Sequence, residues 1–224
     1  MTEIKINKLI RSKRRTIALE IAQDASLIVR APYRTPLDFI EKIVFKKRFW
    51  IKEKQEFVRD RYTKIAPKEF ISGECFLYLG DMYKLEIVDP LHTPIVFNKG
   101  FHISRKNLNT AKEILIAWYK EQAYQKISER AIWHSSLSGL KYNKIRISNA
   151  QRRWGSCSAK GNLNFSWRLI MAPLNVINYV VVHELAHLEE NNHSKRFWNK
   201  VKIMMPDYKQ YKNWLKENRH LLNI

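Results

Sequence analysis

The sequence predicts an α+β chain, with a sheet-rich N-terminal region over residues 1–106 and a second region over residues 107–224 dominated by helices. Three observations lead there. Short β-branched runs bounded by turn residues fill the first hundred positions. Apolar residues recur at helical spacing after Thr110. One of the later helices carries His183-Glu184-Leu185-Ala186-His187, a pattern with its own chemistry. A hydrophobic content of 45% in 224 residues, with seven Trp, ten Tyr and ten Phe, is enough for a sizeable core and excludes a disordered chain.

Taken in order, Thr16–Ile21 and Leu27–Ala31 read as strands around a turn at Gln23-Asp24-Ala25-Ser26. Pro32 and Pro36 break that pattern. Either Asp38 or the Thr35-Pro36 pair opens a helix through Phe39, Ile43, Phe49, Trp50 and Phe57. Phe70–Leu79 and Lys84–Val88 form a strand pair turning at Gly80-Asp81, followed by a short strand at Phe101–Ser104. From Thr110 to His134 the spacing predicts one long helix with Ile114, Leu115, Trp118, Ala123, Ile127 and Ile132 inward. Ile145–Ser148 is a brief strand. Leu163, Phe165 and Trp167 then alternate with Asn164 and Ser166, the mark of a half-buried or edge strand. Pro173 and Asn175 open the motif helix, on which Val176, Val180, His183 and His187 share one side. Asn191-Asn192 is expected to turn the chain out through left-handed geometry. Ser194 caps a helix presenting Phe197, Trp198 and Val201 to the core, Pro206 ends it, and Tyr208–His220 is the last helix.

The spacing within the motif sets its chemistry. Histidines four apart lie on one helical face, so His183 and His187 can grip one metal ion. His193 supplies a third ligand. It stands six residues past His187, about 9 Å along an ideal helix, so the chain must bend to bring it back. Three protein ligands leave one position open for water, as in catalytic zinc sites. Glu184, beside the first ligand, is placed to act as general base. By chance the two-histidine pattern appears in about one chain in a hundred of this length, and a third histidine at one offset cuts that about thirtyfold.

Charge and cysteines bound the partners. The formal net charge is +20. No acidic residue falls between Glu129 and Glu184, where Arg130, Lys141, Lys144, Arg146, Arg152, Arg153, Lys160 and Arg168 are basic. Such a surface is either simply solvated or a site for nucleic acid, another polyanion or an acidic substrate. Lys13-Arg14-Arg15 adds a second basic cluster without a nucleic-acid motif. The two cysteines, Cys75 and Cys157, read as reduced thiols, with Cys157 in a packing role. The N-terminus lacks the apolar core of a signal peptide, and the run Tyr179–Val182 is too short for a bilayer. A cytoplasmic protein with no membrane partner is expected; composition says nothing of oligomeric state.

Several segments carry a family resemblance. RSKRRTIALEI, FLYLGDMYKL, RRWGSCSAKGNLNFSWRLIMAP, YVVVHELAHLEENNHSKRFW and PDYKQYKNWLK together resemble the YgjP-like metallopeptidases, a family of zincin type described as metal-dependent hydrolases. The likeness runs from about Lys8 to Trp214, with a more distant similarity to SprT-like proteases, which act on proteins crosslinked to DNA. It implies a zincin-like fold for residues 107–224, Zn²⁺ held by His183, His187 and His193, Glu184 as general base, and a peptide or protein substrate. The spacing matches the metzincin pattern HExxHxxGxxH, except that Glu190 stands in place of its glycine.

In zincins an edge strand beside the metal helix pairs with extended substrate, which makes Asn162–Arg168 the candidate wall and Asn164 and Ser166 candidate contacts. Arg152 and Arg153, in the loop before it, are candidates for a carboxylate, a phosphate or a developing oxyanion, or for a surface role. The leading expectation is a zinc metallopeptidase that hydrolyses peptide bonds. The alternative is a nucleic-acid-associated binding or processing factor whose metal site is structural or not proteolytic.

Overall fold

Alternating apolar residues organise the first of the two units into which the chain divides, Met1–Pro67 and Lys68–Ile224. The structure, a computed structural model, describes residues 4–22, 24–62 and 68–224; Gln23 and the side chain of Phe57 lie outside the described residues. In the first unit β1 (Lys8–Ser12), β2 (Ala18–Ile21) and β3 (Leu27–Pro32) form a sheet of order β1-β3-β2. The expected hairpin is present, with Ile21 opposite Leu27. β1, which pairs parallel with β3, went unread because Lys8–Ser12 has no clean alternation. Arg11 on β1 ties down the chain after β3 through the carbonyls of Pro32, Tyr33 and Thr35.

The helical segment differs from expectation in two ways. It is two helices, α1 (Leu37–Lys46) and α2 (Arg48–Tyr62), joined at Lys47. Its inward residues are Ile40, Val44 and Ile51, which meet Leu27, Val29 and Ala31 of β3. Phe39, Phe49 and Trp50 are exposed at 51%, 72% and 40%. Two stripes at helical spacing compete in this sequence. The aliphatic one suits the pleated surface of the sheet, and the aromatics face outward.

In the second unit β4 (Cys75–Tyr78), β5 (Asp81–Ile87), β6 (Ile95–Phe97) and β7 (Phe101–Ile103) form a sheet of order β4-β5-β7-β6. The turn between β4 and β5 does more than connect them. Leu79 and Gly80 donate their amides to Ile170 and Met171, and a Cβ at Gly80 would come within 2.9 Å of Pro173. Glycine, at φ +96°, therefore allows this sheet to grip the segment leading into the motif helix. The expected helix-dominated region, residues 107–224, lies wholly inside this unit, which also contains residues 68–106.

Helix α3 (Ala111–Ser138) is the spine. Its buried row is Ala111, Leu115, Tyr119, Ala123, Ile127 and Ala131, spaced by four throughout. A row at that spacing drifts about 40° per step, so one end faces the sheet and the other faces the later helices. Ile132 falls off the drifting row and is 61% exposed, contrary to expectation. The Tyr119 hydroxyl donates to Leu77 on β4 at 2.6 Å, and its ring stacks on Trp167.

Strands β8 (Lys144–Ser148), β9 (Gly155–Cys157) and β10 (Asn162–Ser166) precede α4 (Leu174–Ala186), α5 (Lys195–Met204) and α6 (Tyr208–Asn218). The sheet order is β8-β10-β9, with β10 parallel to β8 and antiparallel to β9. Hence β10 is the central strand and not an edge; among the described residues the edge nearest α4 in sequence and contact is β9. Helix α4 is buried almost all round, from Val176 to Ala186, as a core helix must be. The result is an α+β fold with an N-terminal sheet region and a C-terminal helical region, of zincin-like type.

Candidate metal centre

His183 projects from α4, His187 from the residue that closes it, and His193 from the turn that follows. Their ring nitrogens lie within 4.8 Å of one another, the one such group of three found among the described residues. The Nε2 atoms of His183 and His193 are 3.0 Å apart. Tetrahedral zinc, with bonds of about 2.0–2.1 Å, asks for nitrogens about 3.3 Å apart, a spacing that this pair approaches. His187 Nδ1 donates to the Glu190 carbonyl at 2.9 Å. A carbonyl only accepts, so Nδ1 carries the proton and the Nε2 lone pair is free for a metal.

The bend that returns His193 is made differently from expectation. Among the described non-glycine residues, Ala25, Phe70, Leu79 and Lys99 have positive φ; Asn191 and Asn192 do not. Instead Leu188, Glu189 and Glu190 close tight turns on Leu185 and Ala186, and Ser194 N–H closes on Asn192. Ser194 then accepts the Phe197 amide at 3.3 Å and starts α5, as its side chain predicts.

An aromatic wall backs the cluster. The fully buried Phe197 ring lies 4.9, 4.5 and 4.8 Å from those of His183, His187 and His193. Trp198 stacks on His193 at 5.7 Å and on Tyr208 of α6 at 5.3 Å. Burial, then the neighbouring histidines and Lys212, push the His183 imidazole down to about 3. Burial likewise lowers His193. Both are held neutral, the form that ligates metal.

Glu184 is 4% exposed, and burial raises its carboxyl to about 8 against the opposing pull of Arg153. Its Oε2 has no hydrogen-bond partner among the described residues. The carboxylate rests against Gly155 of β9, where a Cβ would stand 2.5 Å from Oε1. Sequence reasoning missed this contact; a glycine inside a strand, marking close approach by another group, was the available signal. Cys157, two residues on, has its thiol raised by burial and by Glu184, in keeping with a packing role.

Of the remaining candidates, Arg152 and Arg153 are exposed, and Arg153 is near enough to act on Glu184. Their loop is pinned from several sides: Arg219 donates to Gln151 O at 2.6 Å, Arg168 to Asn149 O at 3.3 Å and Ser166 to Ala150 O at 2.8 Å. Ser166 is 1% exposed, its hydroxyl committed to that loop. Asn164, half-buried, stands between Arg146 of β8 and Ser156 of β9. Lys212 of α6, whose charge reaches His183 and His193, was not singled out in the sequence.

No curated protein matches the chain. Among solved structures it is similar to the crystal structure of the metallopeptidase zymogen of Pyrococcus abyssi abylysin, with a TM-score of 0.37 and 20% identity over 41% of this chain and 93% of that one. The family model described as YgjP-like, metallopeptidase domain, matches residues 15–218, which take in every strand described above except β1, together with α3, the histidine cluster, Glu184 and both helices of the aromatic wall. The chain therefore belongs to the YgjP-like metallopeptidase family.

Proposed function

We propose that this protein is a zinc-dependent metallopeptidase in which His183, His187 and His193 hold the ion and Glu184 is the general base. The observation that carries the reading is the convergence of three imidazoles beside a buried, unpartnered carboxyl group. A zinc ion there would polarise a substrate carbonyl, lower the pKa of a water and favour the ionised form of Glu184. Glu184 would then accept the proton of the attacking water and deliver it to the leaving amine. Gly155 holds that carboxylate in place by leaving room for it. Arg153 and Arg152 offer positive charge to a developing oxyanion or to a substrate carboxylate. An extended peptide would pair along the edge of β9, a role first expected of β10. In this reading residues 107–224 carry the chemistry and residues 68–106 brace α4 through the Gly80 turn.

Metal analysis and turnover test the reading together. Protein purified without added metal should carry about one zinc per chain, and His193→Ala should carry less. Glu184→Gln should keep its zinc and lose most peptide hydrolysis; wild-type turnover in that variant would overturn the proposal.

A second reading, a nucleic-acid-associated factor, draws on one surface of the first unit. Arg48 lies 4.3 Å over Phe45 and 4.5 Å over Phe49, rings that are 59% and 72% exposed. Exposed aromatics interleaved with cations suit stacked bases. That reading requires salt-sensitive binding of a single strand that survives Glu184→Gln and weakens when Arg48 is neutralised.

A further inference from the structure

We propose that Lys212 reads a carboxylate on the substrate, at a subsite formed with Trp198 beside the candidate metal centre; this deepens the metallopeptidase reading and rests on it. The Lys212 ammonium stands 4.1 Å from the centroid of the Trp198 ring. Trp198 in turn lies 5.7 Å from His193 and 5.8 Å from His183, ring to ring. The cation is thus anchored to the wall of the site on a platform that touches two of the three candidate ligands. Its charge is felt by both.

Three features mark it as a reader of charge and not as part of a structural ion pair. Lys212 is exposed, and no carboxylate pairs with it among the described residues. By contrast, Lys200 and Glu189 on the neighbouring segments are paired with each other. The aromatic platform restrains the side chain without pairing its charge. Around it the chain is basic: from Ser194 to Arg219, Lys195, Arg196, Lys200, Lys202, Lys209, Lys212, Lys216 and Arg219 face only Asp207 and Glu217. Arg153 acts on Glu184 and Lys212 acts on His183 and His193, so the centre is flanked by two cations contributed by separate elements.

The anionic groups of an unmodified peptide are carboxylates, either side chains of Asp and Glu or the C-terminus. The two ring distances keep Lys212 within about 10 Å of His193, which at about 3.3 Å per extended residue places the carboxylate within about three residues of the scissile bond.

The test uses the zinc-loaded full chain and peptides identical except for Glu or Gln at each of three positions on either side of one scissile bond, each with a free or an amidated C-terminus. At one position Glu, or the free terminus, should raise kcat/KM about two- to fivefold over its neutral counterpart. Lys212→Met should bring that ratio close to one, Lys212→Arg should retain it, and added salt should shrink it. Amidation distinguishes the sources: loss of the preference assigns it to the C-terminus, persistence to a side chain.

Binding supplies an independent readout. In zinc-loaded Glu184→Gln, tryptophan fluorescence should report tighter binding of the preferred carboxylate peptide than of its neutral twin, and adding Lys212→Met should erase the difference. The proposal fails if neutral and carboxylate peptides are equal in wild type, or if Lys212→Met preserves the preference. Should wild type cleave no peptide while the Lys212-dependent binding persists, the hydrolase reading fails and the carboxylate subsite stands.

Discussion

The two sides of the candidate metal centre are built from opposite materials. His183 and Glu184 rise from α4, which is buried almost all round and braced by the Gly80 turn and by β9. His193 lies on an exposed turn with no left-handed residue, held by one serine cap and a wall of rings. The first side is rigid because the core leaves it no alternative; the second is only as well placed as its anchors. Damage to the helix side should therefore disturb chemistry, and damage to the turn side should disturb metal affinity.

The largest expected effect falls on the anchor of the turn side. Phe197 is fully buried and touches all three imidazoles. Phe197→Ala should cost about 3–5 kcal/mol of stability and weaken zinc binding about 10–100-fold. Denaturation and zinc competition check the two numbers. Unaltered zinc affinity would show that the turn holds itself in place.

Gly155→Ala probes the helix side. The added methyl must displace Glu184, with its Oε1 only 2.5 Å away, and a shift of about 1 Å in a catalytic group costs about 100-fold. Hydrolysis should fall by about that factor while zinc stays near one per chain. Equal loss of zinc and activity would mean that β9 supports the ligands as much as the base.

These two residues also mark the limit of what the sequence reveals. The approach of the three histidines is legible because their spacing is local: a four-residue interval is one helical turn, and a third histidine at a fixed offset needs only a bend. The Ser194 cap and the gripping role of Phe197 follow from similarly local patterns. Gly155 against Glu184 is tertiary, joining residues 29 positions apart. The alternation of Leu163 and Phe165 is the same for a central strand and an edge, so the order β8-β10-β9 had no local signature. Ile132 misled because the buried row of α3 advances by four and drifts around the helix. Lys212 was one of 41 basic residues until α6 set it over Trp198.

Ser194→Ala gives a smaller test of the turn side. Loss of its bond to the Phe197 amide should cost about 1 kcal/mol, with a fall in melting temperature of about 2–4 °C. If the turn depends on its anchors, zinc affinity should weaken in parallel; an unchanged affinity would confine the cap to helix stability.

The smallest effect lies on another face of α4. Asn178, about 140° around the helix from His183, accepts the Arg130 side chain at 2.7 Å, next to His134 of α3. His134 is 5% exposed with its Nε2 unpartnered; burial, then Arg130, push its imidazole down to about 4, against a hydrogen bond with Asn178. A histidine whose folded pKa is depressed takes up its proton more readily when unfolded. Its contribution is complete above the unfolded value of about 6.5 and is lost as pH falls from there to about 4. Melting curves of zinc-loaded wild type and His134→Gln should therefore diverge across that window, with wild type losing more melting temperature on acidification. Both proteins keep His183, His187 and His193, so titration at the metal cluster cancels in the comparison. Parallel curves would show that the α3–α4 contact admits the charged ring without cost, and the rigidity of the helix side would then rest on its apolar contacts and on the Gly80 turn.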